Sequence, residues 1–270
     1  MTLYTERTPR VVAARRLTRR SRRDSERRFL AEGPQAVREA LEVEPGRPGA
    51  VEALFGTPAA LERYPDLGQR AVHHGVPVSL VDEHGMAGLS ETVTPQGFVA
   101  VCTFLDVTLD SVLAAPPMLV AVLAEIQDPG NAGTVLRTAD AAGAGAVVFC
   151  QGSVDPYNGK CVRSSAGSLF HPPVVRGGAA ADVVAALRDA GLRVLAADGA
   201  GESDLDQLAD DGSLAPPTAW LFGNEARGLP DELAALADAR VAIPIHGRAE
   251  SLNLAAAAAV CLYASARAQR

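Results

Sequence analysis

The sequence predicts a two-domain α/β protein whose C-terminal half is built on a mostly parallel sheet. Three observations carry that reading. Short apolar runs such as Leu119–Leu123, Ala146–Cys150 and Thr218–Phe222 are hydrophobic throughout rather than alternating, as strands covered on both faces read. Helical stretches separate these runs, the pattern of βαβ units. A proline-marked segment, Leu105–Pro117, divides that pattern from an earlier α/β alternation. A chain of 270 residues has room for about two such domains.

The elements follow in order. Residues 1–28 hold ten arginines against Glu6, Asp24 and Glu26, a local charge of +7, so the other residues carry −14 of the overall −7. Like charges repel, and residues 1–25 are predicted to be a flexible basic arm. RNA phosphate is its natural partner, an idle solvated tail the plainer alternative. Lys160 is the only lysine, so the choice of arginine reads as genome composition.

Residues 26–104 form the first α/β domain. Phe29-Leu30-Ala31 reads as a strand, and Glu32-Gly33-Pro34 turns it into a helix through Leu41 with Ala36, Val37, Ala40 and Leu41 on one face. Val51–Phe55, Val76–Val81 and Gly97–Phe104 read as strands, with the helical stretch Pro58–His74 between the first two. Residues 105–117 are the linker.

Residues 118–270 form the second domain. Strands are predicted at Leu119–Leu123, Ala146–Cys150, Arg193–Ala197, Thr218–Phe222 and Val241–Ile245. Helices are predicted at Ala132–Ala142, Ala180–Ala190, Pro230–Ala237, with proline in its first turn, and Ser251–Ala268. Along the last, Leu252, Ala255, Ala256, Ala259, Leu262 and Tyr263 recur at helical spacing, a face for the core or for a second copy.

Composition narrows the function. No apolar run reaches the ~20 residues of a membrane span, and the N-terminus lacks the apolar core of a signal peptide. A cytoplasmic protein without membrane partners is expected. Cys102, Cys150, Cys161 and Cys261 are widely spaced and read as buried free thiols. The five histidines show no metal-ligand spacing, and no metal is expected. The low aromatic content, 4%, argues against a broad base-stacking platform.

Three segments carry the chemistry, each where a strand gives way to a loop or helix, the place open α/β sheets bind ligands. They are Asn131-Ala132-Gly133 with Arg137, then Gly223-Asn224-Glu225-Ala226-Arg227-Gly228-Leu229, then Ile243-Pro244-Ile245 followed by Ser251-Leu252-Asn253. Taken singly they have plain readings: Asn131 and Ser251 as helix N-caps, Arg137 as a solvated surface residue, the glycine-flanked segment as a turn. In this order and spacing they resemble the three signature motifs of the SpoU/TrmH family, S-adenosylmethionine-dependent RNA ribose 2′-O-methyltransferases of the SPOUT superfamily. The resemblance spans roughly residues 25 to 268. It implies a SPOUT domain with a C-terminal trefoil knot, S-adenosylmethionine as cofactor, and a homodimer with cofactor sites at the interface.

By the same resemblance Asn131, Arg137, Glu225, Ser251 and Asn253 are catalytic, while Gly223, Ile243 and Leu252 contact the cofactor, largely through backbone. Family proposals have the arginine help deprotonate the 2′-hydroxyl; a guanidinium resists losing a proton, so gripping phosphate and stabilising charge are the safer roles for Arg137. Glu32-Gly33 and Ser90–Gly97 resemble the small RNA-binding domain that precedes the catalytic domain in many relatives, which favours ribosomal over transfer RNA. Arg163–His171 also resembles a family segment near the active site, with His171 read as structural. Two other classes stay open: a non-catalytic RNA-binding protein of the same fold, and a nucleotide-cofactor oxidoreductase using Asp198-Gly199-Ala200-Gly201, a weak motif that reads more simply as a turn.

Overall fold

The computed structural model describes residues 3–270. It divides into two compact units, residues 1–105 with 157–170, and residues 106–156 with 171–270. The first holds α1 (Pro9–Arg15), α2 (Arg20–Glu26), β1 (Arg28–Glu32), α3 (Pro34–Ala40), β2 (Val51–Gly56), α4 (Pro58–Arg63), α5 (Pro65–His73), β3 (Val78–Leu80), α6 (Glu83–Leu89) and β4 (Phe98–Thr103). Its sheet runs β1-β4-β2-β3, with β4 antiparallel to both neighbours and β2 parallel to β3.

The segment expected to be a flexible arm is folded. Tyr4 bridges to Val81, its N–H donating to the Leu80 carbonyl at 2.8 Å. Val11, Ala14 and Leu17, three residues apart, bury one face of α1 and the turn after it against Met86, Leu89 and Val101. Arg23 is 3% exposed, and its guanidinium donates to the Leu17 and Thr18 carbonyls at 3.0 and 2.8 Å. The charge count hid this apolar spacing. Other expectations shift less. The stretch 58–74 breaks at Tyr64, because the residue before a proline avoids helical backbone. The span expected as linker contains a short helix capped by Thr108.

The second unit holds α7 (Leu109–Leu113), β5 (Leu119–Leu123), α8 (Pro129–Ala142) and β6 (Ala146–Phe149). After α9 (Gly159–Ser164), which belongs to the first unit, come β7 (Val174–Arg176), α10 (Ala180–Asp189), β8 (Arg193–Ala197), β9 (Ser203–Asp204) and α11 (Leu205–Asp210). The unit ends with β10 (Thr218–Phe222), α12 (Asp231–Ala234), β11 (Ala239–Ala242) and α13 (Leu254–Ala268). Seven strands form one parallel sheet in the order β7-β6-β5-β10-β8-β11-β9. β5 and β10 are buried along their whole length near its middle. Because β5, β10, β8 and β11 are parallel neighbours, the loops after them gather at one edge of the sheet.

α13 lies against this sheet, tied by Trp220 Nε1 donating to Ser265 Oγ at 2.8 Å, both buried. Ala255, Ala258, Leu262 and Ala266 face inward, so Ala255 and Leu262 of the expected interface belong to the core. The outward row is Ala256, Val260 and Tyr263, while Leu252, expected in this helix, precedes its cap. All four cysteines are buried free thiols. Burial pushes Cys150 and Cys261 up to about 12 and raises Cys102 as well, so none of these three is a thiolate at neutral pH. Among the described residues no helix is long and apolar enough to cross a membrane.

Candidate active site

The loop after β10 is held by its glycines. A Cβ at Gly223 would lie 2.5 Å from the Gly228 carbonyl carbon and 2.6 Å from the Leu229 nitrogen, a clash with backbone that cannot yield. This close approach lets Asn224 and Gly228 exchange backbone hydrogen bonds at 3.0 and 2.8 Å. The buried Asn224 side chain accepts from the Ala226 and Arg227 N–H groups and donates to the Glu125 carbonyl at 2.9 Å. The loop is thereby fixed to the one after β5.

Glu225, at the tip, accepts from the backbone N–H groups of Gln127 and Asp128, each at 3.1 Å, and from Asn131 Nδ2 at 3.3 Å. Asn131 Oδ1 in turn accepts from Asn253 Nδ2 at 3.2 Å, and Asn253 Oδ1 caps α13 by accepting from the Ala255 N–H at 2.9 Å. One residue from each motif thus joins a directed chain, amide to amide to carboxylate, in which each bond polarises the next. Partial burial alone raises the Glu225 pKa. The donors from backbone and Asn131 outweigh it and hold the carboxyl below its ordinary value.

Two capping expectations are corrected. Asp128, not Asn131, caps α8, accepting from the Asn131 N–H at 2.8 Å; this leaves the Asn131 side chain to Glu225. Asn253, not Ser251, caps α13, and Ser251 is exposed with no hydrogen bond among the described residues.

A cleft opens beside this chain at the carboxyl ends of the strands. It is walled by Ala197–Gly199 after β8, Phe222–Glu225 after β10, Ile243 and Ile245 after β11, and Glu250–Leu252 before α13. It is a small cavity of about 170 Å³ that opens to solvent at its mouth. Gly223, Glu225, Ile243, Ser251 and Leu252 all line it, while Asn131 and Asn253 reach it through hydrogen bonds. Arg137 stands apart. It is exposed on α8, without an ion pair or hydrogen bond among the described residues.

Asp198 and Gly199 are cleft residues that sequence reasoning left as a plain turn. The available signal was their position after an apolar strand; what was missing was that β8 lies next to β10. Asp198 Oδ2 receives Arg240 Nε and a terminal guanidinium nitrogen at 3.0 and 2.7 Å, and Oδ1 accepts from the Ala200 N–H. Partial burial raises its pKa, and these partners outweigh it to lower it. Gly201 packs onto the Arg240–Val241 backbone, with no room for a Cβ. His171 also gains a partner the sequence did not offer: Asp140 Oδ2 lies 2.7 Å from its Nδ1.

The donor set separates cofactor classes. No Lys or Arg is among the described residues lining the cleft, whereas Asp198, Glu225 and Glu250 are. Asp198 is compensated by Arg240, but Glu225 and Glu250 face the cleft without a cation among its described lining residues, which disfavours a pyrophosphate and suits a cationic sulfonium beside an apolar floor. Fold and site together define an α/β protein with a small, acidic-rimmed cleft at the carboxyl edge of a parallel sheet. Residues 118–263 match the SpoU rRNA Methylase family and residues 8–100 match the MRM3-like substrate binding domain, so the match to the substrate domain takes in most of the basic segment. The chain belongs to the SpoU rRNA Methylase family.

Among similar proteins, the 23S rRNA (guanosine(2553)-2′-O)-methyltransferase RlmP of Bacillus subtilis is 35% identical, with 87% of each chain covered. The 23S rRNA (uridine(2479)-2′-O)-methyltransferase of Streptomyces viridochromogenes is also 35% identical, over 73% of this chain and 78% of that one. The crystal structure of an AdoMet-bound rRNA methyltransferase from Sinorhizobium meliloti superposes with a TM-score of 0.84 at 32% identity, covering 98% of this chain and 97% of that one.

The Glu225 geometry sets a pH expectation. A carboxyl held low in the folded state stabilises it above the unfolded value, near 4.3, and that contribution is lost as pH falls through the folded value. Glu225→Gln should therefore melt lower than the parent at pH 7, with the gap narrowing below about pH 4. Melting temperatures across pH 3–7 check this; parallel curves would sink it.

Proposed function

We propose that this protein methylates a ribose 2′-hydroxyl in ribosomal RNA with S-adenosylmethionine, and that it works as a homodimer with the chain threaded into a trefoil knot at its cofactor loops. The observation that carries the reading is the Asn253–Asn131–Glu225 hydrogen-bond chain beside a cleft with no cation among its described lining residues. When bound, S-adenosylmethionine supplies a methyl group already activated on a sulfonium. The chain's own residues then have to align, hold and exclude.

Gly223, Ile243 and Leu252 border the adenosyl group, the glycine by letting backbone approach closely. Glu225, fixed by Gln127, Asp128 and Asn131, presents a carboxylate beside the reacting ribose. Ser251 and Asn253 approach from the start of α13. Arg137, with no competing partner, grips substrate phosphate and offsets charge that develops at the 2′-oxygen.

Titration with S-adenosylmethionine, followed by methyl transfer to a 23S rRNA transcript and alkaline mapping of the protected linkage, tests this reading. Micromolar binding with one alkali-resistant linkage is expected. RNA binding without cofactor binding would favour the non-catalytic alternative, and binding of a dinucleotide instead the oxidoreductase.

The dimer rests on the outward row of α13. Val260 and Tyr263 are 42% and 50% exposed one turn apart, with exposed Ala256 a turn before them. Val260→Asp should weaken association on the order of 100-fold, the effect of a charge in the centre of an apolar interface. Light scattering reads it. A parent protein that is monomeric and fully active at micromolar concentration rejects the dimer.

A further inference from the structure

We propose that α1, α2 and the turn between them form an ordered docking surface for the RNA phosphate backbone, rigidly part of the substrate-binding unit. This rests on RNA being the substrate. Arg10, Arg15, Arg16, Arg19 and Arg22 are exposed, and their guanidinium groups carry no ion pair or hydrogen bond among the described residues. Four of them fall within the eight residues that turn α1 into α2. The neighbouring arginines are engaged otherwise: Arg28 with Glu52, Arg20 with Asp24 at 3.7 Å, and Arg27 over the Phe104 ring at 4.7 Å.

Crowding five unpaired cations on a short folded segment costs self-repulsion, which a purely structural segment has no reason to accept. The fold opposes that repulsion from inside. The buried Arg23 ties the turn by donating to the Leu17 and Thr18 carbonyls, and Val11, Ala14 and Leu17 anchor the segment in the core. A polyanion with regularly spaced charges complements such a surface, and fixing the arginines beforehand reduces the ordering entropy lost on binding. The rest of the chain is strongly acidic, so the surface supplies a local attraction that the net charge of −7 would otherwise oppose. Phosphate contacts position RNA without reading sequence, which assigns this surface to affinity and register rather than target choice.

Deleting the segment would be a poor test, because it strips apolar side chains from the core. Instead, all five arginines are changed to Gln in the full-length protein, and affinity for a 23S rRNA transcript is measured between 50 and 300 mM salt. The log–log slope should become shallower by at least about two units, the value for three lost contacts at about 0.7 each on single strands. KM for RNA should rise at least tenfold, with the methylated nucleotide and S-adenosylmethionine affinity unchanged. Changing the same five to Lys should restore the slope, since charge carries the effect. An unaltered slope in the Gln variant, or no restoration by Lys, overturns the proposal. A parent that binds RNA with the expected slope difference yet methylates none overturns the proposed reaction and leaves the docking surface standing.

Discussion

Arg137→Ala should lower single-turnover methyl transfer on the order of 10²–10⁴-fold while leaving S-adenosylmethionine affinity within about twofold. The split follows from where the residue lies. Arg137 is six residues beyond Asn131 on α8, about 9 Å along the axis at 1.5 Å per residue, and it does not line the cleft. Its guanidinium meets no carboxylate among the described residues, which leaves its donors for substrate. Because a guanidinium stays protonated, its loss should depress the rate at every pH and not shift the pH profile. Arg137→Lys should recover only part of the rate, since a point charge lacks the planar fork that grips phosphate. A variant that transfers methyl near the parental rate, or loses cofactor affinity in step with rate, would remove Arg137 from the substrate side.

The parallel strands were legible because burial on both faces leaves continuous apolar runs. Thr218–Phe222 and Leu119–Leu123 were read residue for residue. The cleft-lining motifs were legible only through their order and spacing, which resemble the SpoU/TrmH signatures; taken singly, each had a plain structural use as a cap or turn. Local chemistry could not choose between two qualified caps. Asp128 and Asn131, or Ser251 and Asn253, differ in backbone conformation rather than side-chain type. Partnerships across sequence were also invisible. Glu32 pairs with Arg163 at 2.9 Å, 131 residues away, and this draws 157–170 into the first unit. His171 found Asp140 in the same way. The basic segment misled for the opposite reason, because a conspicuous charge count masked Val11, Ala14 and Leu17.

Gly223→Ala should abolish detectable S-adenosylmethionine binding, a loss of at least 100-fold, and destabilise the protein by about 1–3 kcal/mol. The added methyl would meet the Gly228 carbonyl and the Leu229 nitrogen at 2.5–2.6 Å, so either the Asn224–Gly228 pair opens or β10 shifts at its end. Both movements displace Glu225 from Gln127 and Asp128, and the hydrogen-bond chain to Asn253 loses its acceptor. Gly228→Ala is the matched control. Its φ of +69° carries a conformational cost, yet a Cβ there meets nothing within 4 Å. That variant should lose about 1 kcal/mol and keep cofactor affinity within a few-fold, because strain at a left-handed residue does not move its neighbours. Calorimetric titration and thermal melts of the two variants separate collision from strain. Equal loss of cofactor affinity in both would mean that loop conformation in general, and not the close approach at Gly223, builds the cleft; near-parental affinity in Gly223→Ala would place the cofactor elsewhere.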